Sequence, residues 1–170
     1  MKVALQISGQ QRYGAYWPQL LSTLEQFDHD IFIHNWEGPR DETQLRTIVG
    51  QHAMIQLEPQ IQFEVPKEWR KTDPEPYGSP IFNLMSMTYG IQAANKLRQA
   101  SGNNYDIVIR ARSDHRIILP DPLEMAPNTI EVGRRPYYLR TGTARVQDQF
   151  AIATPAMMDV YAEQHDQMWN

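Results

Sequence analysis

The segment from Tyr105 to Asp114, YDIVIRARSD, constrains the fold of this chain more than any other stretch. Its centre is a run of consecutive β-branched residues without Gly or Pro, which is typical of a strand buried on both faces of a sheet. Because side chains alternate between faces, Arg110, Arg112 and Asp114 would project to the same side if the backbone stays extended that far. The segment therefore predicts a buried strand that ends in two cations and a carboxylate.

This charged strand end has two possible meanings. Open α/β folds bind their ligands at the C-terminal edge of a mostly parallel sheet, so the residues at the end of the strand are candidates for chemistry. Strands also commonly run out into ordinary polar surface residues. The segment by itself leaves both interpretations open.

A second candidate loop follows the first predicted strand, residues 2–7 (KVALQI). Ser8, Gly9 and Gln10 close that strand, and Arg12 adds a cation. A glycine just past a strand lets the backbone approach a ligand closely, as in phosphate-binding loops. Neither a Gly-x-Gly-x-x-Gly pattern nor a Gly-Lys-Ser/Thr loop is present, so an ordinary turn is the alternative.

Further predicted strands cover residues 30–36 and two short runs at 54–57 and 61–65. His34 lies at the end of the first of these, where a single histidine is usually a structural residue with its hydrogen bonds satisfied. Residues 147–153 (QDQFAIA) predict a last strand near the C-terminus.

Helix signals alternate with these strands. Pro18 suits the first turn of one helix, and Asp41 with Gln44 resembles a capping box that opens another. The clearest helix covers about Asn83 to Ala100, with an apolar stripe, and leads the chain into the Tyr105–Asp114 strand as a crossover to a parallel neighbour. The pattern predicts one α/β domain over residues 1–170, with a mostly parallel, twisted, Rossmann-like sheet flanked by helices.

The segment 66–80 carries four prolines and no periodicity. A connection of about 15 residues is longer than most loops in a compact domain. It is expected to be a flexible loop, either a functional lid or a disordered segment.

Charge and composition narrow the classes of function. The net charge is −4, but residues 110–145 hold seven arginines, no lysine and four acids, a balance that suits bidentate binding of phosphate or carboxylate. Scattered surface arginines are the alternative. Overall acidity disfavours a nucleic-acid partner. The absence of cysteine excludes thiol and zinc-thiolate chemistry. No apolar run approaches the ~18 residues of a membrane helix, so we expect no transmembrane segment and a cytoplasmic location.

Four motifs in order carry a resemblance that covers nearly the whole chain: VALQISGQQR at 3–12, IFIHNW at 31–36, YDIVIRARSD at 105–114 and DQFAIA at 148–153. Together they resemble the GT-A type glycosyltransferases of bacterial surface-polysaccharide clusters and phages. The resemblance implies a nucleotide-diphospho-sugar transferase fold. It also implies an acidic motif at a strand end, often Asp-x-Asp, that binds a metal and the diphosphate; here those positions read Arg112-Ser113-Asp114.

The resemblance implies roles for the candidate residues. Asp148 would be the catalytic base, and Asp114 would bind Mn²⁺ or Mg²⁺. Because Arg112 replaces the first acid of the motif, it would put a permanent cation beside the diphosphate and leave metal dependence open. The residues expected to bind the nucleotide diphosphate are Ser8, Gly9, Gln10, Arg12, Arg110 and Arg112.

These observations predict an enzyme that transfers a sugar from a uridine-linked nucleotide sugar to a saccharide acceptor. Two alternatives stay open. One is a non-catalytic nucleotide or nucleotide-sugar binding protein with an incomplete acceptor site, since the chain ends soon after the DQFAIA motif. The other is a structural module that has kept the fold with an empty crevice.

Overall fold

The structure is a computed structural model in which part of the chain is described. For residues 134–138 and 144–148 it describes the backbone alone. The described residues are 1–11, 17–64, 81–114, 117–138 and 144–169. The predicted loop at 66–80 and Arg12 lie outside them.

Six strands within these ranges form one sheet with the order β3-β2-β1-β4-β6-β5. β2, β1, β3 and β4 pair in parallel, whereas β6 is antiparallel to both β4 and β5. The strands are β1 (Lys2–Gly9), β2 (Asp28–Trp36), β3 (Met54–Glu58), β4 (Ile107–Ala111), β5 (Ile130–Tyr138) and β6 (Ala144–Ala153). The predicted α/β class, with a mostly parallel sheet flanked by helices, is confirmed.

Five helices are described with these strands: α1 (Trp17–Leu24), α2 (Glu42–Val49), α3 (Ile81–Ala100), α4 (Pro155–Ala162) and α5 (Gln164–Trp169). The predicted capping box of α2 is present, because Gln44 N–H donates to Asp41 Oδ1 at 2.8 Å and Asp41 N–H donates to Gln44 Oε1 at 3.0 Å. Within the described ranges no helix is long and apolar enough to span a membrane.

Two core layers cover the two faces of the sheet. On one face, alternate residues of β1, β2 and β4 pack with Leu20 and Leu24 of α1 and with Ile48 of α2. On the other, the intervening residues pack with Leu97 of α3 and Met158 of α4. Helices on both faces allow the central strands to be buried on both sides of the sheet, as the sequence of β4 predicted.

Some of the expected elements are wrong. Residues 61–64 form no strand, although Ile61 and Phe63 alternate with polar neighbours. β5 occupies part of the Arg-rich segment, for which no strand was predicted. β5 lies at the edge of the sheet, where strands need not be apolar, so its sequence carries a weak strand signal.

The buried side of α3 is more polar than its sequence suggested. Ile91 and Ala94 of the expected apolar stripe are buried, but the stripe's other members are only partly so. The polar residues buried on this helix are Ser86, Thr88, Gln92, Asn95 and Arg98. These groups need hydrogen-bond partners inside the protein.

One hydrogen-bond network satisfies the centre of this polar face. Gln6 of β1 donates to Asn95 Oδ1 at 2.7 Å, and Arg98 Nε donates to the same oxygen at 3.1 Å. Asn95 Nδ2 and Arg98 Nη2 in turn both donate to Asp159 Oδ1 of α4, the former at 2.7 Å. The network therefore joins the sheet, α3 and α4.

We expect Asp159→Ala to lower the free energy of unfolding by about 2–3 kcal/mol, because it leaves the buried guanidinium of Arg98 without its carboxylate. Urea denaturation measures the change. Glu163→Ala, an exposed acid just past α4, is the matched control and should stay within about 0.5 kcal/mol of the wild type. Equal effects of the two substitutions would contradict a structural role for the network.

Candidate functional site

The strand order creates a switch point between β1 and β4. From β1 the chain proceeds outward to β2 and β3 on one side, and it then crosses through α3 to β4 on the other side of β1. Loops that leave the carboxyl ends of two such strands diverge and leave a crevice, the usual ligand position in open α/β sheets. In this sheet the expected position lies beyond Gly9 at the end of β1 and beyond Ala111 at the end of β4.

The turn after β1 has a backbone that only glycine adopts readily. Gly9 has φ of +118°, and a Cβ built there would meet no atom within 4 Å. The space beside the Gly9 backbone is thus open to a ligand among the described residues. Ser8 is 5% exposed and packs towards Gly90 of α3, and its role in diphosphate binding stays a prediction. Gln10 is exposed.

A glutamine fixes the position of this turn. Gln11 Nε2 donates to the Arg40 carbonyl at 2.9 Å, and the Arg40 N–H donates to Gln11 Oε1 at 3.0 Å. Gly38 allows this close approach, since a Cβ there would lie 3.0 Å from the Gln11 amide. The loops that follow β1 and β2 are therefore held together at this edge of the sheet.

The turn after β4 presents an arginine and an aspartate as a pair. Arg112 Nε donates to Asp114 Oδ1 at 3.0 Å, and Arg112 Nη2 donates to Asp114 Oδ2 at 2.8 Å. Their side chains are 27% and 21% exposed, whereas Ser113 between them is buried. This bidentate pair lies at the crevice and is reachable from solvent.

Arg110 does not join this pair at the surface. β4 ends at Ala111, so the extended backbone that would align Arg110 with Arg112 and Asp114 stops too early. Arg110 is 1% exposed and pairs in register with Gln6, on the face of the sheet that α3 covers. A diphosphate would have to enter the layer between sheet and helix to meet its guanidinium.

The backbone of β6 passes next to the Arg112 turn. The Arg112 N–H donates to the Gln149 carbonyl at 3.1 Å, one residue from Asp148. The predicted last strand, residues 147–153, is part of β6 and lies in the sheet. The Asp148 side chain lies outside what the structure describes, so its catalytic role stays a prediction.

The ends of β2 and β3 carry a cluster that sequence reasoning found only in part. His34 Nε2 lies 2.5 Å from Glu58 Oε1, and burial together with the neighbouring Glu58 carboxylate raises the pKa of Tyr89. Trp36 and Tyr89 stack with ring centroids 5.5 Å apart. Burial lowers the pKa of His34 below its ordinary value despite the neighbouring carboxylate. His34 is thus a buried, bonded residue, as expected; Glu58 and Tyr89 had no sequence signal.

The same cluster holds the C-terminal helix. The ring of His165 in α5 contacts Tyr89, and its Nδ1 lies 2.9 Å from Thr88 Oγ1. Trp169 Nε1 donates to the same Thr88 hydroxyl at 3.1 Å. Burial, with Lys96 nearby, lowers the pKa of His165. The ring of His165 and the indole of Trp169 therefore hold α5 against α3.

Metal binding at Asp114 stays a prediction from the resemblance, and the donor set fits a cation poorly. Both carboxylate oxygens already accept from Arg112. In the parts of the chain that the structure describes, no three His, Asp or Glu side chains come together as a metal-holding group. Hard divalent cations prefer several oxygen ligands.

Comparison with models of known protein families gives no match, and no curated protein matches the sequence.

We expect the free energy of unfolding to fall as pH is lowered from about 7 to 5.5. His34 and His165 have lowered native pKa values, so the unfolded chain, where histidine titrates near ~6.5, binds more protons in this window. The free energy that these two histidines contribute to stability is fully present above pH ~6.5, and it is lost as the pH falls towards their native pKa values.

In His165→Gln the loss of unfolding free energy at low pH should be smaller, because one of the two titrating histidines is removed. One histidine contributes at most about 1.4 kcal/mol per pH unit to the slope of the unfolding free energy against pH. Urea denaturation at several pH values measures it. Trp169→Phe removes a hydrogen bond between α5 and α3 without removing a titrating group, so it should lower stability while keeping the wild-type slope. An unchanged slope in His165→Gln would contradict the assignment.

Proposed function

We propose that this chain is a glycosyltransferase of GT-A type that takes a sugar from a uridine-linked nucleotide diphosphate and transfers it to a saccharide acceptor. The observation that carries the proposal is the switch point between β1 and β4, where an open glycine backbone ends one strand and the Arg112–Asp114 pair follows the other. The four motifs that resemble this class contribute most of the residues around it. The strand order, with an antiparallel β6, is compatible with the proposed fold.

The two turns can hold a diphosphate in complementary ways. The main chain at Gly9 can approach phosphate oxygens closely, because no side chain stands in the way. The guanidinium of Arg112 is a planar donor that matches phosphate geometry. Positive charge placed there stabilises the nucleoside diphosphate as it leaves and gains negative charge.

The transfer itself needs a proton acceptor. For an inverting reaction, the acceptor hydroxyl oxygen forms a bond to the anomeric carbon of the sugar while the bond from that carbon to the diphosphate oxygen breaks. The hydroxyl proton passes to a carboxylate, for which Asp148 is proposed. Support for Asp148 comes from the resemblance and from the backbone contact between Gln149 and Arg112.

We expect UDP to bind with measurable heat in calorimetry, and Gly9→Ala to weaken that binding at least about tenfold. At a φ of +118° an alanine costs about 1–3 kcal/mol of strain and shifts the turn. Gly102→Ala is the matched control, since Gly102 also has a positive φ (+69°) and open space around it but lies before β4, at the opposite edge of the sheet. That variant should lose stability while keeping UDP affinity. Absence of heat for every nucleoside diphosphate would overturn the proposal.

Asp148→Asn is expected to keep UDP affinity within about threefold and to reduce sugar transfer, or slow hydrolysis of the donor, by about 10²–10⁴-fold, the usual contribution of a general base. Release of UDP from UDP-sugars measures turnover. Full activity in Asp148→Asn would assign the base elsewhere. Donor binding with no turnover in the wild type would favour a non-catalytic nucleotide-sugar binding protein.

A further inference from the structure

We propose that Arg112, and not a divalent cation, neutralises the diphosphate in this crevice, and that Asp114 is a positioning residue for Arg112 rather than a metal ligand. This inference rests on the proposed function, because it concerns the same nucleoside diphosphate. It makes donor binding independent of metal.

The geometry of the pair is the first support. Each oxygen of Asp114 accepts from a different nitrogen of Arg112, at 3.0 and 2.8 Å, in the fork arrangement that fixes a guanidinium plane. A cation on the same carboxylate would have to displace the guanidinium or sit beside its permanent positive charge. Asp114 therefore orients Arg112 more readily than it binds a second cation.

The remaining donors of Arg112 are the second support. A guanidinium has five N–H groups, and the contacts to Asp114 use Nε and Nη2. The outer edge of the group, at Nη1, is directed away from Asp114 by the planarity of the fork. Since the side chain is 27% exposed, phosphate oxygens can reach that edge without breaking the pair.

The backbone around the pair is the third support. The Arg112 N–H is bonded to the Gln149 carbonyl of β6, Ser113 is buried, and Ala111 is the last residue of β4. The turn that carries the guanidinium is thus fixed on both sides of Arg112. A cation whose position is fixed before the ligand arrives loses little freedom on binding.

The test is a titration of UDP, and separately of inorganic pyrophosphate, into the wild type with millimolar Mn²⁺ or with EDTA. We expect affinities that agree within about twofold in the two conditions. Arg112→Ala should weaken binding of both ligands at least about tenfold, and Arg112→Lys should recover only part of it, since an ammonium lacks the planar fork. Arg46→Ala removes a paired arginine near the opposite edge of the sheet and should leave affinity unchanged.

A double-substitution cycle tests the positioning role. Asp114→Ala should weaken UDP binding in the wild type and have no further effect in Arg112→Ala, and Asp114→Asn should retain part of the affinity through its one remaining acceptor oxygen. Thermal melts confirm that each variant is folded.

Three results would contradict this inference or the proposed function on which it rests, and they can be told apart. Tightening of UDP binding by Mn²⁺ of tenfold or more, lost in Asp114→Ala, would make Asp114 a metal ligand and leave the proposed function intact. No heat for UDP in either condition would overturn the proposed function itself. Additive effects of Asp114→Ala and Arg112→Ala would also contradict positioning.

Discussion

The parallel pairing of β1 with β4 is the constraint on which the rest of the structure depends. Their register, with Ile7 opposite Ala111, sets Gly9 and Ser113 each two residues beyond the last pair. The turns that follow the two strands therefore begin at the same level of the sheet. A slip of one residue would move every side chain of β4 to the other face, and Arg110 would then enter the apolar layer under α1.

The same pairing explains why α3 is polar where it crosses the sheet. Its buried face meets Gln6 of β1 as well as apolar side chains, and Asn95 links Gln6 to Arg98 and through it to Asp159. A network of this kind needs each member in place. The free-energy cost of burying one polar group without a partner is larger than the net stabilisation from a single hydrogen bond. It fixes the crossing position of α3, and hence the way β4 enters the sheet.

Local signals predicted the parts of the fold in which one segment determines its own structure. The apolar run of β4, the capping box at Asp41 and the glycine after β1 were readable because strand, cap and turn chemistry depend on neighbouring residues. What could not be read depends on distant partners. β5 is a strand because β6 pairs with it, and Glu58 with Tyr89 belongs to a cluster because β3 and α3 meet at the end of β2.

Arg110 and Arg112 show where sequence reasoning about the site reached its limit. Because side chains alternate between the faces of a strand, Arg110 and Arg112 were predicted to project to the same face of the sheet. That alternation holds only as long as the strand continues. Arg110 is 1% exposed inside the protein, whereas Arg112 is paired with Asp114 and can be reached from solvent. The chemical consequence is specific: of these two cations, only Arg112 lies at the crevice surface, and its partner is a single carboxylate. Among the residues that the structure describes, this arrangement is the reason for proposing an anion held by one oriented guanidinium and a glycine backbone rather than a cation held by several acids.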